Sequence, residues 1–127
     1  MKQVIKIETI ELYWFDWQPW SYFKVDLRKE KRTPFPNQES GVYEVKRINE
    51  EHRLTIGKSL NLRRRIVEAL VKGNYEHSAG KRIRKNENFD NFLIRWAYTE
   101  YISCAEEYLH KIHLKKFNKF PEYTINT

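Results

Sequence analysis

From Gly41 onward the chain carries two kinds of apolar spacing. The segments "VYEVKRI" (42–48) and "RLTIG" (53–57) are rich in β-branched and aromatic residues and flank the polar "NEEH", which predicts a β-hairpin over Gly41–Gly57. Leu62, Ile66, Ala69 and Leu70 then recur at helical spacing, with Ser59 or Asn61 as cap and Gly73 as the stop. A second, short helix is expected over His77–Lys85. "NFLIRWAYTE" (91–100) reads as a third strand, apolar on both faces and therefore central. A last helix spans Ile102–Phe117 and is stopped by "NKFPEY". At about 100° per residue, its buried face is expected to hold Ala105, Tyr108, Leu109 and Ile112. Glu106 falls at the edge of that face and Glu107 points into solvent. The order strand, strand, helix, strand, helix predicts an α/β (α+β) domain.

Residues 1–35 read differently, as an extension packing on a main domain of residues 36–127. Trp14, Trp17 and Trp20 fall close together among Tyr13, Phe15, Tyr22 and Phe23, before Pro34 and Pro36 break regular structure. These aromatics are expected to cover the core or form a short appended strand. Stacking on unpaired bases is the functional alternative.

Composition narrows the classes. With 127 residues, 40% hydrophobic and 32% charged, the chain suits one domain with one modest core. No apolar run approaches a membrane span, no signal-peptide core opens the chain, and the single Cys104 rules out an internal disulfide. A cytoplasmic location is the expectation. A net charge of +7, with basic runs at Arg28–Arg32, Arg63–Arg65 and Lys81–Lys85, favours a polyanionic partner, nucleic acid above all.

Gly57-Lys58-Ser59 raises two phosphate chemistries. A nucleotide-binding loop needs a glycine five residues before Gly57, and His52 stands there, so that reading fails. The other chemistry is a nuclease. "GVY" (Gly41-Val42-Tyr43) precedes "TIG" (Thr55-Ile56-Gly57), Lys58 follows directly, and "NLRRRI" opens the helix. "HSAGKRIR" (77–84), "LIRWAYTE" (93–100), "AEEYL" (105–109) and "FPEY" (120–123) continue in order. Over residues 36–124 this set resembles the GIY-YIG nuclease family, in particular its single-domain bacterial and phage members.

The resemblance implies a small three-stranded antiparallel sheet flanked by helices, and hydrolysis of DNA phosphodiesters with one divalent ion, Mg²⁺ or Mn²⁺. RNA stays open as an alternative substrate. It implies that Tyr43 takes a proton from the attacking water, with Lys58 and the arginines lowering its pKa from about 10. It implies that Arg65 holds the scissile phosphate and Glu106 the metal, the pattern E-x-x-L matching Glu106 with Leu109. The helical reading by itself does not separate Arg63 from Arg65. Lys58 would contact phosphate or assist the base. Arg63, Thr55, His77, Lys81 and Arg82 are the further residues expected to bind substrate. His110 and His113, one turn beyond Glu106, could be drawn as a zinc site, but Leu109 and Ile112 claim the buried face there.

Two positions depart from the family pattern. Thr55 replaces the tyrosine of the second motif, and Thr124 replaces an asparagine after Tyr123, with Asn126 nearby. They motivate a second reading, a module of the same fold that binds nucleic acid without cutting it. A third reading is a protein-interaction domain using the aromatic extension.

Overall fold

The structure, a computed structural model, describes residues 10–24, 34–87 and 91–124. The basic run Arg28–Arg32 and Asn126 lie outside the described residues. Four strands form one antiparallel sheet: β1 (Gln18–Pro19), β2 (Gly41–Arg47), β3 (Arg53–Ser59) and β4 (Phe92–Tyr98), in spatial order β1-β4-β2-β3. Among the described residues, three longer helices flank it, α1 (Arg64–Val71), α2 (Ser78–Asn86) and α3 (Ile102–Phe117), and a short 3-10 helix (Trp20–Lys24) follows β1. The α+β class, the hairpin and the interior place of the 91–100 strand are as the apolar spacing predicts. The fourth strand, two residues long, is the addition to the three that the resemblance implies.

Each sheet face buries its own apolar set, as the period-two alternation of a strand requires. Tyr43, Val45, Leu54, Ile94 and Trp96 pack with α1, α2, Trp20, Phe23 and Phe35 into the larger core. Val42, Ile56 and Ala97 pack against Ala105 and Leu109 of α3, with Leu12 and Trp14 beside them. A bulge shifts the β2–β3 register, so that Val45 faces Thr55 while Lys46 faces Arg53. The unpaired Leu54 thereby reaches the larger core.

The aromatic segment serves both faces. Phe15 donates its backbone N–H to the Trp96 carbonyl and stacks on that ring at 4.9 Å, while Trp20 and Phe23 are buried. On the other face the buried Glu44 carboxylate accepts from Arg53 (3.0 Å) and Arg95 (2.8 Å). Trp14 and Trp17 lie over the Arg95 guanidinium, and Arg53 and Lys46 also face the Trp17 ring. Cation–π contact and the shared carboxylate keep these charges partnered under the aromatic cover.

Two expectations about the helices are corrected. The 62–73 helix is π-helical over Arg64–Val71, and Lys72 N–H reaches the Val67 carbonyl five residues back. Leu62, Ile66, Val67, Leu70 and Val71 are all buried, a stripe of fours and fives that a wider helix faces inward. Asn61 caps its entry by accepting from the Arg64 N–H. On α3 the buried positions are Ala105, Leu109 and His113, while Tyr108 and Ile112 stand 43% exposed. His113 takes the inward place because both ring nitrogens are satisfied. Nδ1–H donates to the Lys119 carbonyl (2.7 Å) and Nε2 accepts the Arg53 N–H (2.9 Å). Burial lowers its pKa, which keeps it in this neutral form. No nitrogen is left for zinc.

A charged clasp closes the far end of the hairpin. Arg47 donates to Glu87 (2.7 Å), Glu50 (2.7 Å) and Glu122 (3.1 Å), and Tyr123 O–H donates to Glu87 (2.6 Å). These bonds hold the Glu87 and Glu122 carboxyls below their ordinary range. Arg47→Ala strands three carboxylates together, and a loss of about 3 kcal/mol in urea unfolding at neutral pH is expected.

Candidate active site

The edge strand β3 brings residues of both sheet faces to one place. There Tyr43 from β2, Thr55, Gly57 and Lys58 from β3, Arg65 from α1, His77 ahead of α2 and Glu106 and His110 from α3 line a pocket of about 310 Å³. Tyr123 and Thr124 close it, held by Tyr123 N–H donating to the Leu54 carbonyl. Tyr43, Lys58, Arg65 and Glu106 thus meet although up to sixty-three positions separate them in the chain.

Two glycines permit this arrangement. A Cβ at Gly57 would overlap the hydroxyl and ring of Tyr43, its cross-strand partner. A Cβ at Gly41 would run into the Ala97 carbonyl and Leu62. The glycines of both sequence motifs are therefore explained by close approach.

Tyr43 is 1% exposed, and its hydroxyl lies 2.7 Å from His77 Nε2. The roles in that bond follow from the other ring nitrogen. His77 caps α2, its Nδ1 accepting the Gly80 N–H at 3.0 Å. A neutral imidazole that accepts at Nδ1 carries its proton on Nε2. His77 therefore donates to Tyr43, and the tyrosine keeps its own O–H for the pocket. Burial, with Arg65 and Arg84 nearby, pushes the His77 pKa down to about 3.

This gives a pH prediction. A base whose folded pKa lies below its unfolded 6.5 contributes full stability above pH 6.5 and loses it progressively as pH falls toward the folded value. Between pH 7 and pH 5 a loss of about 2 kcal/mol is expected from this one group. Urea unfolding at both pH values checks it, with His77→Asn, which can still cap but does not titrate, showing a flatter dependence.

The expectation that cations depress the Tyr43 pKa is corrected. Burial raises it above the usual value and dominates; Arg65 works downward and Glu106 upward. In this state Tyr43 is a protonated donor at neutral pH.

The cations divide between the pocket and the scaffold. Lys58 Nζ donates to Ser103 Oγ (2.8 Å) and stands 3.9 Å from Glu106. Arg65 donates through Nη1 to the Glu76 carbonyl at 3.3 Å, while its buried Nε has no protein partner. Arg63 instead donates to the Pro36 carbonyl (3.0 Å) and is not among the pocket residues. Lys81 and Arg82 are exposed outside the pocket, Arg82 lying over the Tyr123 ring. His77, expected to touch substrate, lines the pocket but is 4% exposed, with its Nε2 held against the Tyr43 hydroxyl. Its cap role was not visible in the sequence, because histidine is not a favoured cap; only the following Ser78-Ala79-Gly80 helix start hinted at one. Thr55 lines the pocket, as does Thr124, whose buried Oγ1 is without a partner.

No family model matches the chain, and no curated protein does. Among solved structures there is a likeness. The chain is similar to a GIY-YIG endonuclease domain. That domain is the N-terminal one of UvrC from Thermotoga maritima. Two of its tyrosine-to-phenylalanine point mutants, each bound to its catalytic divalent cation, align at 20% identity over 80% of this chain and 100% of theirs, with TM-scores of 0.47 and 0.46. Among the described residues no group of three or more His, Cys, Asp or Glu could hold a metal ion, and no helix is long and apolar enough to cross a membrane.

Proposed function

We propose that this chain is a metal-dependent endonuclease that hydrolyses DNA phosphodiester bonds by in-line attack of an activated water. The observation that carries the reading is the convergence of Tyr43, Lys58, Arg65 and Glu106, the residues singled out by the ordered motifs, on one pocket. Arg65, with its unpartnered Nε, is suited to a phosphate oxygen, because a guanidinium stays charged and can bond two oxygens at once. Lys58 adds charge to offset that developing on the phosphate. The Tyr43 O–H, its oxygen held by His77, can donate to a water or to a phosphate oxygen and fix its orientation. Arg65 favours loss of the Tyr43 proton to solvent and burial opposes it; once that proton has left, the tyrosinate can take a proton from the attacking water.

Glu106 is the residue that would hold a divalent ion. The donors fit Mg²⁺ or Mn²⁺: one half-buried carboxylate beside hydroxyl oxygens, the remaining positions being left to water and substrate phosphate. They do not fit zinc. When bound, such an ion supplies Lewis-acid polarisation of the phosphate and a more acidic water.

The test is cleavage of supercoiled plasmid and branched DNA in Mg²⁺ or Mn²⁺. Cutting that stops on addition of EDTA and returns with excess Mg²⁺ is the expected result. The positions of Thr55 and Thr124 favour one second reading, a DNA-binding module without catalysis. Both are short side chains lining the pocket where the family pattern has longer ones. It predicts no cutting in any metal, with binding that weakens steeply as salt rises.

A further inference from the structure

A second groove, of about 610 Å³, opens beside the reaction pocket and shares Lys58, Glu106 and His110 with it. It runs along α3 past Lys111 to Leu114 and Phe120. At that end the two apolar side chains stand 40% and 41% exposed, and the His110 ring meets Phe120 edge-on at 6.2 Å. Phe120 is held in place rather than hanging free. Asn118 ends α3 in the left-handed conformation, Lys119 carbonyl accepts from His113, and Pro121 just beyond is buried. The fold therefore fixes a flat apolar ring at one end of a groove whose other end is the proposed phosphate site.

A nucleotide has that same layout: an anionic phosphate joined to a flat base with apolar faces. We infer that the groove is a nucleobase subsite, taking one unpaired base next to the scissile phosphate, so that the substrate is a flap, gap or single strand rather than intact duplex. The inference rests on the nuclease reading above. A paired base is stacked and hydrogen-bonded inside the helix, so only an extruded or unpaired one can lie against Phe120 and Leu114. The groove's own charge is balanced, Lys58 standing 3.9 Å from Glu106, and Arg65 of the adjoining pocket supplies the cation for the phosphate. The acidic Glu107 at its rim is paired with Lys111 at 3.8 Å.

The experiment uses the full chain with Ca²⁺ in place of Mg²⁺, so that binding is read without cutting. A fluorescent 2-aminopurine is placed beside a flap junction and, separately, inside a matched duplex. Tighter binding of the flap, with a change in base fluorescence, is expected. Phe120→Ala and Leu114→Ser should each remove the fluorescence change and weaken flap binding about 10-fold, leaving duplex binding as it was. Both side chains are half-exposed, so folding is not at stake, and circular dichroism verifies it. Equal binding of flap and duplex, indifferent to both variants, overturns the subsite and leaves the nuclease reading to the plasmid assay. Binding of neither overturns both. A dimer lost in Phe120→Ala, with oligonucleotide binding unchanged, would assign the groove to a second copy and overturn the subsite.

Discussion

Glu106→Ala should lose cleavage by on the order of 10³-fold or more, with the fold intact. Among the described residues Glu106 is the one carboxylate lining the pocket, and its side chain is about one quarter exposed, so truncation leaves neither a large void nor a stranded charge. Lys58, 3.9 Å away, keeps its bond to Ser103. Thermal unfolding of the variant should therefore match the parent within about 1 kcal/mol. Two further measurements make the result specific. Mn²⁺ binding followed by titration calorimetry should vanish in the variant. Glu107→Ala, one residue on and exposed, should leave Mn²⁺ binding unchanged. Full activity in Glu106→Ala would remove Glu106 from the mechanism.

Gly57→Ala should cost about 3 kcal/mol and most of the activity together. One methyl group at position 57 meets the Tyr43 ring, which is itself pinned between the sheet and His77. The ring has to move off its hydrogen bond or the strands have to part. The cause can be isolated with a double-mutant cycle. In a Tyr43→Ala background the ring is gone, and Gly57→Ala should then cost little, leaving a coupling energy of about 2 kcal/mol. An undiminished penalty in that background would mean that β3 needs glycine for its own backbone.

Much of this molecule is legible in its sequence, for reasons that also mark where reading stops. Strands and helices follow from apolar spacing, and α3 begins and ends at the residues that spacing predicts. Its rotation differs from the expected one because His113 takes an inward place. A histidine with both nitrogens bonded packs like an apolar ring, and only the fold supplies the Arg53 N–H and Lys119 carbonyl. For α1, Leu62, Ile66 and Leu70 fit the ordinary and the wider helical period alike. The addition of Val67 and Val71 to the buried set decides it. Three consecutive arginines differ only in rotation about that helix, so Arg63 holding Pro36 and Arg65 entering the pocket are separated by tertiary structure alone. The Tyr43 pKa departs from the expected direction for a related reason. Neighbouring charges can be guessed from a motif, but the depth of burial cannot.

The aromatic segment has a consequence for any attempt to trim the chain. Strand β1 pairs with β4, and Phe15 extends that pairing by its bond to Trp96. Without residues 10–24, β4 would become an open edge, with the ladder groups of Trp96 and its neighbours unpaired. Trp96, Phe92 and the Glu44–Arg95 pair would lose their cover at the same time. A fragment beginning at residue 36 would keep every residue proposed for catalysis and still be a template for strand-to-strand self-association. The segment that contributes nothing to the pocket is thus what covers one edge of the pocket's sheet.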